Sequence, residues 1–176
     1  MTRSETAGLR LRPGVPADAE AIHAAILRLG DVLGTGGKIR STVEDFRRHG
    51  FGPDAAFATL IAEVDGAFAG VCLSFPIFST WLGRPGVYVQ DLYVEARFRG
   101  RKVGEALLRA VAAQARARGA AYLRLSVDAD NAGAQSFYER LGIARLGDEH
   151  AHGAYGEAFE ALSRGPDRDA RAEEPQ

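Results

Sequence analysis

The chain has 176 residues, of which 46% are hydrophobic and 26% are charged, a composition typical of a soluble protein with an ordinary buried core. Its formal net charge of −1 argues against a nucleic-acid-binding protein, and no apolar run approaches the ~20 residues that span a membrane. Cys72 is the only cysteine, which excludes an intrachain disulfide and a thiolate metal cluster.

The first half of the chain predicts one strand, two helices and a β-hairpin. Asp18 is placed to cap the first helix, and Thr42 with Asp45 resembles a capping box at the start of the second. Asp65 and Gly66 stand between two apolar segments, which is a strong signal for a tight hairpin turn. The predicted elements are a strand at 9–12, a helix from Asp18 to Leu29, a helix from Thr42 to Arg48, and strands at 57–64 and 68–78.

The second half predicts strands and helices around a basic, glycine-containing loop. The helix after that loop has Val103, Leu107 and Val111 at helical spacing and ends at Gly119. The predicted elements are a strand at 87–94, the loop at 97–102, the helix, a strand at 122–127, a helix at 131–141, and closing strands at 143–146 and 155–162. The order β-α-α-β-β-β-α-β-α-β-β predicts an α/β fold in which a mixed sheet carries helices on both faces.

One domain is expected to span residues 9–162. Residues 1–8 are expected to be flexible and residues 163–176 to form a disordered tail, because the tail has little that can pack. The polar N-terminus lacks the apolar core of a signal peptide, so we expect a cytoplasmic protein. Neither a membrane nor a nucleic acid is expected as a partner.

The loop before the long helix has the features of a phosphate-binding site. Gly100 and Gly104 flank the helix start, where unpaired N–H groups and a partial positive charge favour an anion. Arg99, Arg101 and Lys102 add positive side chains. A solvated basic loop is the alternative interpretation. A Walker-type triplet is absent and the spacing misses the G-x-G-x-x-G fingerprint, which disfavours nucleoside triphosphates and NAD.

Two segments resemble the signatures of the GNAT superfamily of N-acetyltransferases. The first runs from Asp91-Leu92-Tyr93-Val94 to the loop and helix at 99–108, and the second is residues 131–142, with asparagine, a phenylalanine-tyrosine pair and glycine. The resemblance covers residues 9–162 and implies a mostly antiparallel sheet, acetyl-CoA as co-substrate and no metal. It assigns to the cofactor Leu92, Tyr93, Val94, Arg99, Gly100, Arg101, Lys102, Val103, Gly104, Glu105, Asn131, Gly133 and Ala134.

The same resemblance gives Tyr138 the role of general acid toward the leaving thiolate. A phenol of pKa ~10 is suited to protonate a thiolate of pKa ~8.5. A packed aromatic side chain is the alternative for Tyr138, and its neighbour Phe137 is expected in the core. Asn131 is expected to cap its helix beside the pantetheine arm. A backbone N–H between Leu92 and Val94 is implied as donor to the carbonyl oxygen.

A closer likeness to the diamine (spermidine/spermine) and thialysine N-acetyltransferase branch lies outside the cofactor signature. The segments that carry it are residues 45–52, 62–64 and 78–91. The likeness implies a small-molecule amine as acceptor, such as a diamine, a polyamine or an amino-acid side chain, and a homodimer. It also implies substrate contacts from Trp81, Gln90 and Asp91.

Two residues depart from the family pattern. Gln90 stands where diamine acetyltransferases have glutamate, and a neutral amide cannot take a proton or pair with an ammonium group as a carboxylate does. Asp91 or an ordered water is then left to accept the proton. Lys102 stands where the first signature usually has glycine, and we expect it to be helical because helix propensity there is good.

Other functions also fit the sequence. A protein N-terminal or lysine acetyltransferase would need an open groove for a peptide, and a non-catalytic acyl-CoA-binding module would bind without turnover. His150 and His152 stand two residues apart, but no further histidine or cysteine lies close in sequence. A solvated loop is therefore favoured there over a metal site.

Overall fold

A five-stranded sheet forms the centre of the protein, with its strands in chain order from one edge to the other. The computed structural model describes residues 8–147 and 154–164. The strands are β1 Leu9–Pro13, β2 Ala58–Val64, β3 Ala67–Ser79, β4 Arg84–Val94 and β5 Tyr122–Leu125. Strands β1 to β4 pair antiparallel, and β5 runs parallel to β4. The predicted mixed, mostly antiparallel sheet is confirmed.

Helices cover both faces of this sheet, as predicted. They are α1 Ala19–Val32, α2 Val43–His49, α3 Val103–Ala117 and α4 Ala132–Arg140. Ile22 of α1 and Phe46 of α2 join Val71 of β3 in one core cluster. Gly70 points to the opposite face, because successive strand residues alternate. There a Cβ on Gly70 would lie 3.5 Å from Leu107 Cδ1, so α3 packs close to the sheet.

Two of the predicted local motifs are present. Asp65 (φ 51°) and Gly66 (φ 78°) both have left-handed backbone, as a type I′ hairpin turn requires. Thr42 Oγ1 accepts a hydrogen bond from Asp45 N–H at 3.3 Å, and Thr42 N–H donates to Asp45 Oδ2 at 2.7 Å. The turn and the capping box are therefore confirmed.

The capping role predicted for Asp18 is wrong. Asp18 occupies the position before α1, but its side chain makes no capping bond to the helix. Its carboxylate instead accepts two hydrogen bonds from the Arg12 guanidinium, at 2.7 and 2.8 Å, and one from Val15 N–H at 2.8 Å. The Arg12 hydrogen bonds hold the pKa of Asp18 below its usual value. A charged, bidentate partner outcompetes a neutral helix N–H for the same oxygens.

The last described helix corrects the end of the predicted order. The chain divides into two compact units, Met1–Gly142 and Ile143–Gln176, and the second contains α5 Glu157–Arg164. The strands predicted at 143–146 and 155–162 are wrong. Alanine, glutamate and leucine favour a helix there, and acidic residues stabilise its first turn.

Most of the predicted flexible N-terminus and tail lies outside the described residues. The boundaries of the domain at 9–162 stay a prediction. Among the helices that the structure describes, none has the length and apolar character needed to cross a membrane.

Candidate active site

Strand β4 parts from β5 halfway along its length. β5 pairs only with Gly86–Val89 of β4, whereas β4 continues to Val94. Consecutive residues of β3 pair with Val89 and Asp91, so Gln90 is an extra, bulged residue. A bulge increases the local twist of a strand. The edge of β4 beyond Gln90 is therefore open on the side of β5.

The backbone groups of Leu92 and Val94 point toward this open edge. Glu95 N–H donates to Ala69 O of β3 at 2.9 Å. Because backbone groups alternate sides along a strand, those of Tyr93 also face β3, and those of Leu92 and Val94 face away from it. An N–H donor on the open edge is placed to bind a carbonyl oxygen that gains negative charge.

The turn before α3 contains two residues with left-handed backbone. They are Gly100 (φ 76°) and Lys102 (φ 58°), which stand on either side of Arg101. Such a turn directs N–H groups inward and makes a concave anion site at the helix N-terminus. Lys102 precedes the first helical residue, so the prediction of a helical lysine is wrong. The turn geometry requires a positive φ, which strains a non-glycine residue by ~1–2 kcal/mol.

Arginine side chains surround the same turn. Arg99 Nε donates to Val94 O at 3.2 Å, at the end of the open edge. The Arg97 and Arg101 guanidinium groups lie 4.6 and 5.5 Å from the centre of the buried Phe98 ring. Positive charge therefore collects at the start of α3, which favours a phosphorylated ligand.

Helices α3 and α4 meet at Gly104. A Cβ there would lie 3.4 Å from Phe137 Cζ and 3.5 Å from Val94 Cγ2, in ordinary van der Waals contact with both. The side chains of the two neighbours of Gly104 have other contacts. Val103 is buried in the core, and the Glu105 carboxylate pairs with Arg109, one turn along α3, at 2.7 Å. Val103 and Glu105 can therefore serve a ligand mainly through their backbone N–H groups.

The first turn of α4 stands beside this junction. Asn131 Oδ1 accepts a hydrogen bond from Ala134 N–H at 3.0 Å, which confirms the predicted cap. Gly133 and Ala134 give this turn only small side chains. The rings of Phe137 and Tyr138, both half-buried, lie 5.2 Å apart at 60°. Phe137 packs toward Gly104 but is only half-buried, so the prediction that it belongs to the core is wrong: it lies at the edge of the packed interior.

Tyr138, Cys72 and Asp91 all have raised pKa values. Burial raises the pKa of Tyr138 to about 12, and Cys72 adds to that shift. Burial also raises the pKa of the Cys72 thiol to about 12, with a further contribution from Asp91. Burial raises the pKa of Asp91. At neutral pH the phenol is a proton donor, the thiol is unreactive, and the carboxylate is a stronger base than an exposed one.

The structure brings together only two of the three predicted acceptor residues. Gln90 is exposed at the bulge and directly precedes Asp91. Trp81 lies in the β3–β4 turn, where 98% of its surface is exposed. The strand between Arg84 and Gln90 is about 20 Å long at ~3.3 Å per residue. Within one chain, Trp81 therefore does not reach the bulge.

Three contacts near the site have no signal in the sequence. The Tyr88 and Ser126 hydroxyls share a hydrogen bond of 2.7 Å just beyond the end of β5. Arg28 of α1 forms an ion pair with Glu95, and the Tyr93 hydroxyl donates to Glu95 at 3.5 Å. These partners are far apart in sequence, except for Tyr93 and Glu95. Together they fix both ends of the open edge.

The expectation of a site without metal stays a prediction. His150 and His152 lie outside the described residues. Across residues 8–147 and 154–164, no cluster of histidine, cysteine, aspartate or glutamate is arranged to hold a metal ion.

The sequence that forms the split strand, the loop and the two helices matches a known family of enzymes. Residues 33–143 match the family model of the acetyltransferase (GNAT) family. The chain belongs to this family. It is a GNAT acyltransferase, as its two signature segments imply, and enzymes of this family use acetyl-CoA as co-substrate.

The relatives of this GNAT enzyme include acetyltransferases of small amines. The thialysine N-epsilon-acetyltransferase of Sus scrofa is 30% identical over 168 residues, covering 89% of this chain and 98% of that protein. The L-ornithine N5-acetyltransferase of Arabidopsis thaliana is 28% identical, covering 72% of this chain and 53% of that protein. The resemblance to the thialysine and diamine branch is thereby confirmed.

A solved structure agrees with the fold. An integron cassette protein from the mobile metagenome of V. cholerae has a TM-score of 0.74 at 17% identity. The match covers 89% of this chain and 98% of that chain. At this identity the likeness speaks for the GNAT fold and not for a substrate.

Proposed function

We propose that this protein transfers the acetyl group of acetyl-CoA to a primary amine of a small molecule, with Tyr138 as general acid. The observation that carries the proposal is the open edge of β4, which lies beside the α3 loop. Besides burial, Asp91 raises the pKa of Cys72 and Cys72 raises the pKa of Tyr138, so Cys72 lies near both the proposed base and the proposed proton donor.

The chain has groups that suit each part of acetyl-CoA. The N–H groups from Gly100 to Gly104 would bind the pyrophosphate, and Arg99 and Arg101 would add charge. The capped first turn of α4, which begins after Asn131, would flank the pantetheine arm. Once bound, acetyl-CoA supplies an acetyl group already activated as a thioester.

The side chains around the opening divide the proton transfers between them. Asp91 accepts the proton of the incoming ammonium group, whose pKa is ~10.4 on the lysine reference, directly or through water. Leu92 N–H donates to the carbonyl oxygen as it gains charge. Tyr138 donates its proton to the departing sulfur and regains one from the attacking nitrogen, which loses its second proton as the amide forms. The products are the acetylated amine and the free thiol of CoA.

The acceptor we favour is the side-chain amine of a small amino acid. The two named relatives act on such amines, in thialysine and in ornithine. Gln90 supports this choice over a polyamine, because a neutral amide at the bulge offers no charge to a second ammonium group. One carboxylate, Asp91, suits a substrate that presents one reacting amine.

We also propose that the protein is a homodimer and that it is located in the cytoplasm. Phe78, Trp81 and Leu82 leave an exposed apolar surface at the β3–β4 turn, of the kind that marks protein–protein contacts. Sedimentation of the full chain would show a dimer that Trp81→Ser weakens. A monomer at every concentration would remove the dimer from the proposal.

An acetyl-CoA assay that reads thiol release tests the proposed reaction. The amine panel contains thialysine, ornithine, a diamine, spermidine, an aminoglycoside and a short peptide with a free N-terminus. We expect turnover with ornithine or thialysine to exceed turnover with the diamine. Turnover with the peptide alone would indicate a protein acetyltransferase. Tight acetyl-CoA binding without turnover of any amine would indicate a non-catalytic module.

A further inference from the structure

The chain leaves the sheet at Glu95, between the open edge of β4 and the turn before α3. Glu95 N–H donates to Ala69 O of β3 at 2.9 Å, and Glu95 O accepts from Phe98 N–H at 2.8 Å. The first bond belongs to the sheet and the second to the loop. Arg99 Nε donates back to Val94 O at 3.2 Å. The orientation of the loop relative to the open edge is therefore set at Glu95.

The Glu95 side chain is held by two partners. The Arg28 guanidinium of α1 forms an ion pair with one carboxylate oxygen, and the Tyr93 hydroxyl donates to the other at 3.5 Å. Both partners are anchored in the interior, because Tyr93 and Ala25, which lies one turn before Arg28 in α1, belong to the same core cluster. The two contacts therefore tie the joint between strand and loop to the core.

The two members of the ion pair differ in exposure. The Glu95 side chain is only 19% exposed, whereas the Arg28 side chain is 54% exposed. An exposed arginine that loses its partner is hydrated where it stands, but a mostly buried carboxylate without its partner is unfavourable. Without Arg28, the Glu95 carboxylate would be more stable turned toward water, and the backbone of the joint would follow it.

We propose that Glu95 is a positioning residue for acetyl-CoA and that Arg28 keeps it in place. The pair acts through the backbone of the loop: it holds the turn at Gly100–Gly104 beside the N–H groups of the open edge, so that one extended cofactor can contact both. Asp91 is held separately, because it pairs with Leu73 of β3. The inference rests on the proposed use of acetyl-CoA and extends it to a residue of α1.

Substitution of Arg28 tests this role in the intact protein. In Arg28→Gln we expect the KM for acetyl-CoA and its calorimetric dissociation constant to rise about fivefold to tenfold, while kcat and the KM for the amine stay within about twofold of wild type. Arg28→Lys keeps the charge and should restore most of the affinity. Arg10→Gln is the matched control, because Arg10 is an exposed arginine on β1, the edge strand farthest from β5.

The double variant Arg28→Gln/Glu95→Gln separates an unpaired charge from lost packing. A neutral amide remains at the joint at a lower cost than a carboxylate and still accepts from Tyr93. The second substitution should therefore return the affinity for acetyl-CoA to within about threefold of wild type. Lost packing around Arg28 would not be repaired by it. Glu95→Gln alone should weaken acetyl-CoA less than Arg28→Gln does.

Amide hydrogen exchange of the free protein gives a readout that needs no acetyl-CoA. Arg28→Gln should speed exchange at Phe98, whose N–H bonds to Glu95 O, and the double variant should restore it. Unchanged exchange at Phe98 in Arg28→Gln would overturn the inference, because a field effect of the Arg28 charge alone predicts that result.

The binding data can overturn the inference independently. It fails if Arg28→Gln binds acetyl-CoA as tightly as wild type, if Arg10→Gln weakens binding equally, or if the double variant binds more weakly than Arg28→Gln. Wild-type protein that binds no acetyl-CoA would instead overturn the proposed function, and the exchange at Phe98 would then decide alone whether Arg28 holds the joint.

Discussion

The two sides of the candidate active site are built from different kinds of group. The donor side consists mainly of backbone: the edge of β4, the left-handed turn at Gly100 and Lys102, and the helix starts. The acceptor side depends on the side chains of Gln90 and Asp91. A backbone site tolerates most changes of side chain, whereas one substitution on the acceptor side can change the substrate. Within the proposed function, the use of acetyl-CoA should therefore tolerate substitution better than the choice of amine.

The largest expected effect separates binding from chemistry on the donor side. Tyr138→Phe removes the proton donor but keeps the ring, so kcat should fall by about 10²-fold or more. Acetyl-CoA binding, measured by calorimetry, should remain because the backbone site is intact. Tyr155→Phe, at an exposed position of the second unit, is the control. Unchanged kcat in Tyr138→Phe would contradict the general-acid role.

Asp91→Asn tests the base and gives opposite changes in activity and stability. We expect kcat/KM to fall by about 10²-fold, and the fall in rate toward acidic pH to disappear from the pH profile. Asp54→Asn, in an exposed loop, should change neither property. If the variant keeps the acidic limb of the wild-type profile, another group is the base.

The stability change in Asp91→Asn follows from burial of the carboxyl group. Burial raises its folded-state pKa above the unfolded value of ~3.9, so the folded protein holds this proton more tightly. That contribution to stability is present below pH ~3.9 and is lost as the pH rises through the folded pKa. At pH 7 the charged Asp91 therefore lowers stability. The melting temperature of Asp91→Asn should rise at pH 7, and the rise should vanish in acid.

Gln90→Glu changes only the acceptor side. A second carboxylate at the bulge would attract a second ammonium group, so the ratio of kcat/KM for a diamine to that for ornithine should rise about tenfold. The KM for acetyl-CoA should stay the same. Gln114→Glu adds the same charge on α3 and should leave the ratio unchanged. An equal change in both variants would mean that net charge, and not the bulge, sets the preference.

The smallest expected effect concerns the strained residue of the donor side. Lys102→Gly relieves ~1–2 kcal/mol of left-handed strain but adds ~0.4–1 kcal/mol of unfolded-state entropy, so a net stabilisation of about 1 kcal/mol, and at most about 1.6 kcal/mol, is expected. Lys102→Ala removes the charge and keeps the strain. The free energies of unfolding of both variants, measured in denaturant, separate the effect of the backbone change from the effect of the lost charge. If Lys102→Gly is less stable than Lys102→Ala by the full entropy term, strain at this turn is negligible.

Local sequence signals predicted much of the fold because they act within a few residues. The Asp65-Gly66 turn and the Thr42–Asp45 capping box each depend on side chains close to the backbone that they stabilise. The strand predicted at 155–162 failed for the complementary reason. Tyr155 and Phe159 favour a strand, but the alanines and glutamates of Glu157–Arg164 favour a helix.

The features that the sequence did not predict depend on contacts across the fold. The bulge at Gln90 arises from pairing with β3, and one extra residue in an apolar strand leaves no local pattern. The left-handed Lys102 was missed because lysine has good helix propensity, which the turn overrides. The Asp18 cap was lost to Arg12, a partner in another element. The two signature segments identified the GNAT family because their patterns are local in sequence.

Amide chemical shifts of the ¹⁵N-labelled protein during an acetyl-CoA titration test the central claim most directly. If the open edge of β4 and the turn before α3 form the donor site, the largest changes should occur at the amides of Leu92 and of Gly100 to Gly104, with smaller changes at Asn131. Saturable binding that moves the amides of the α2–β2 loop and leaves Leu92 and Gly100 to Gly104 unchanged would contradict the account.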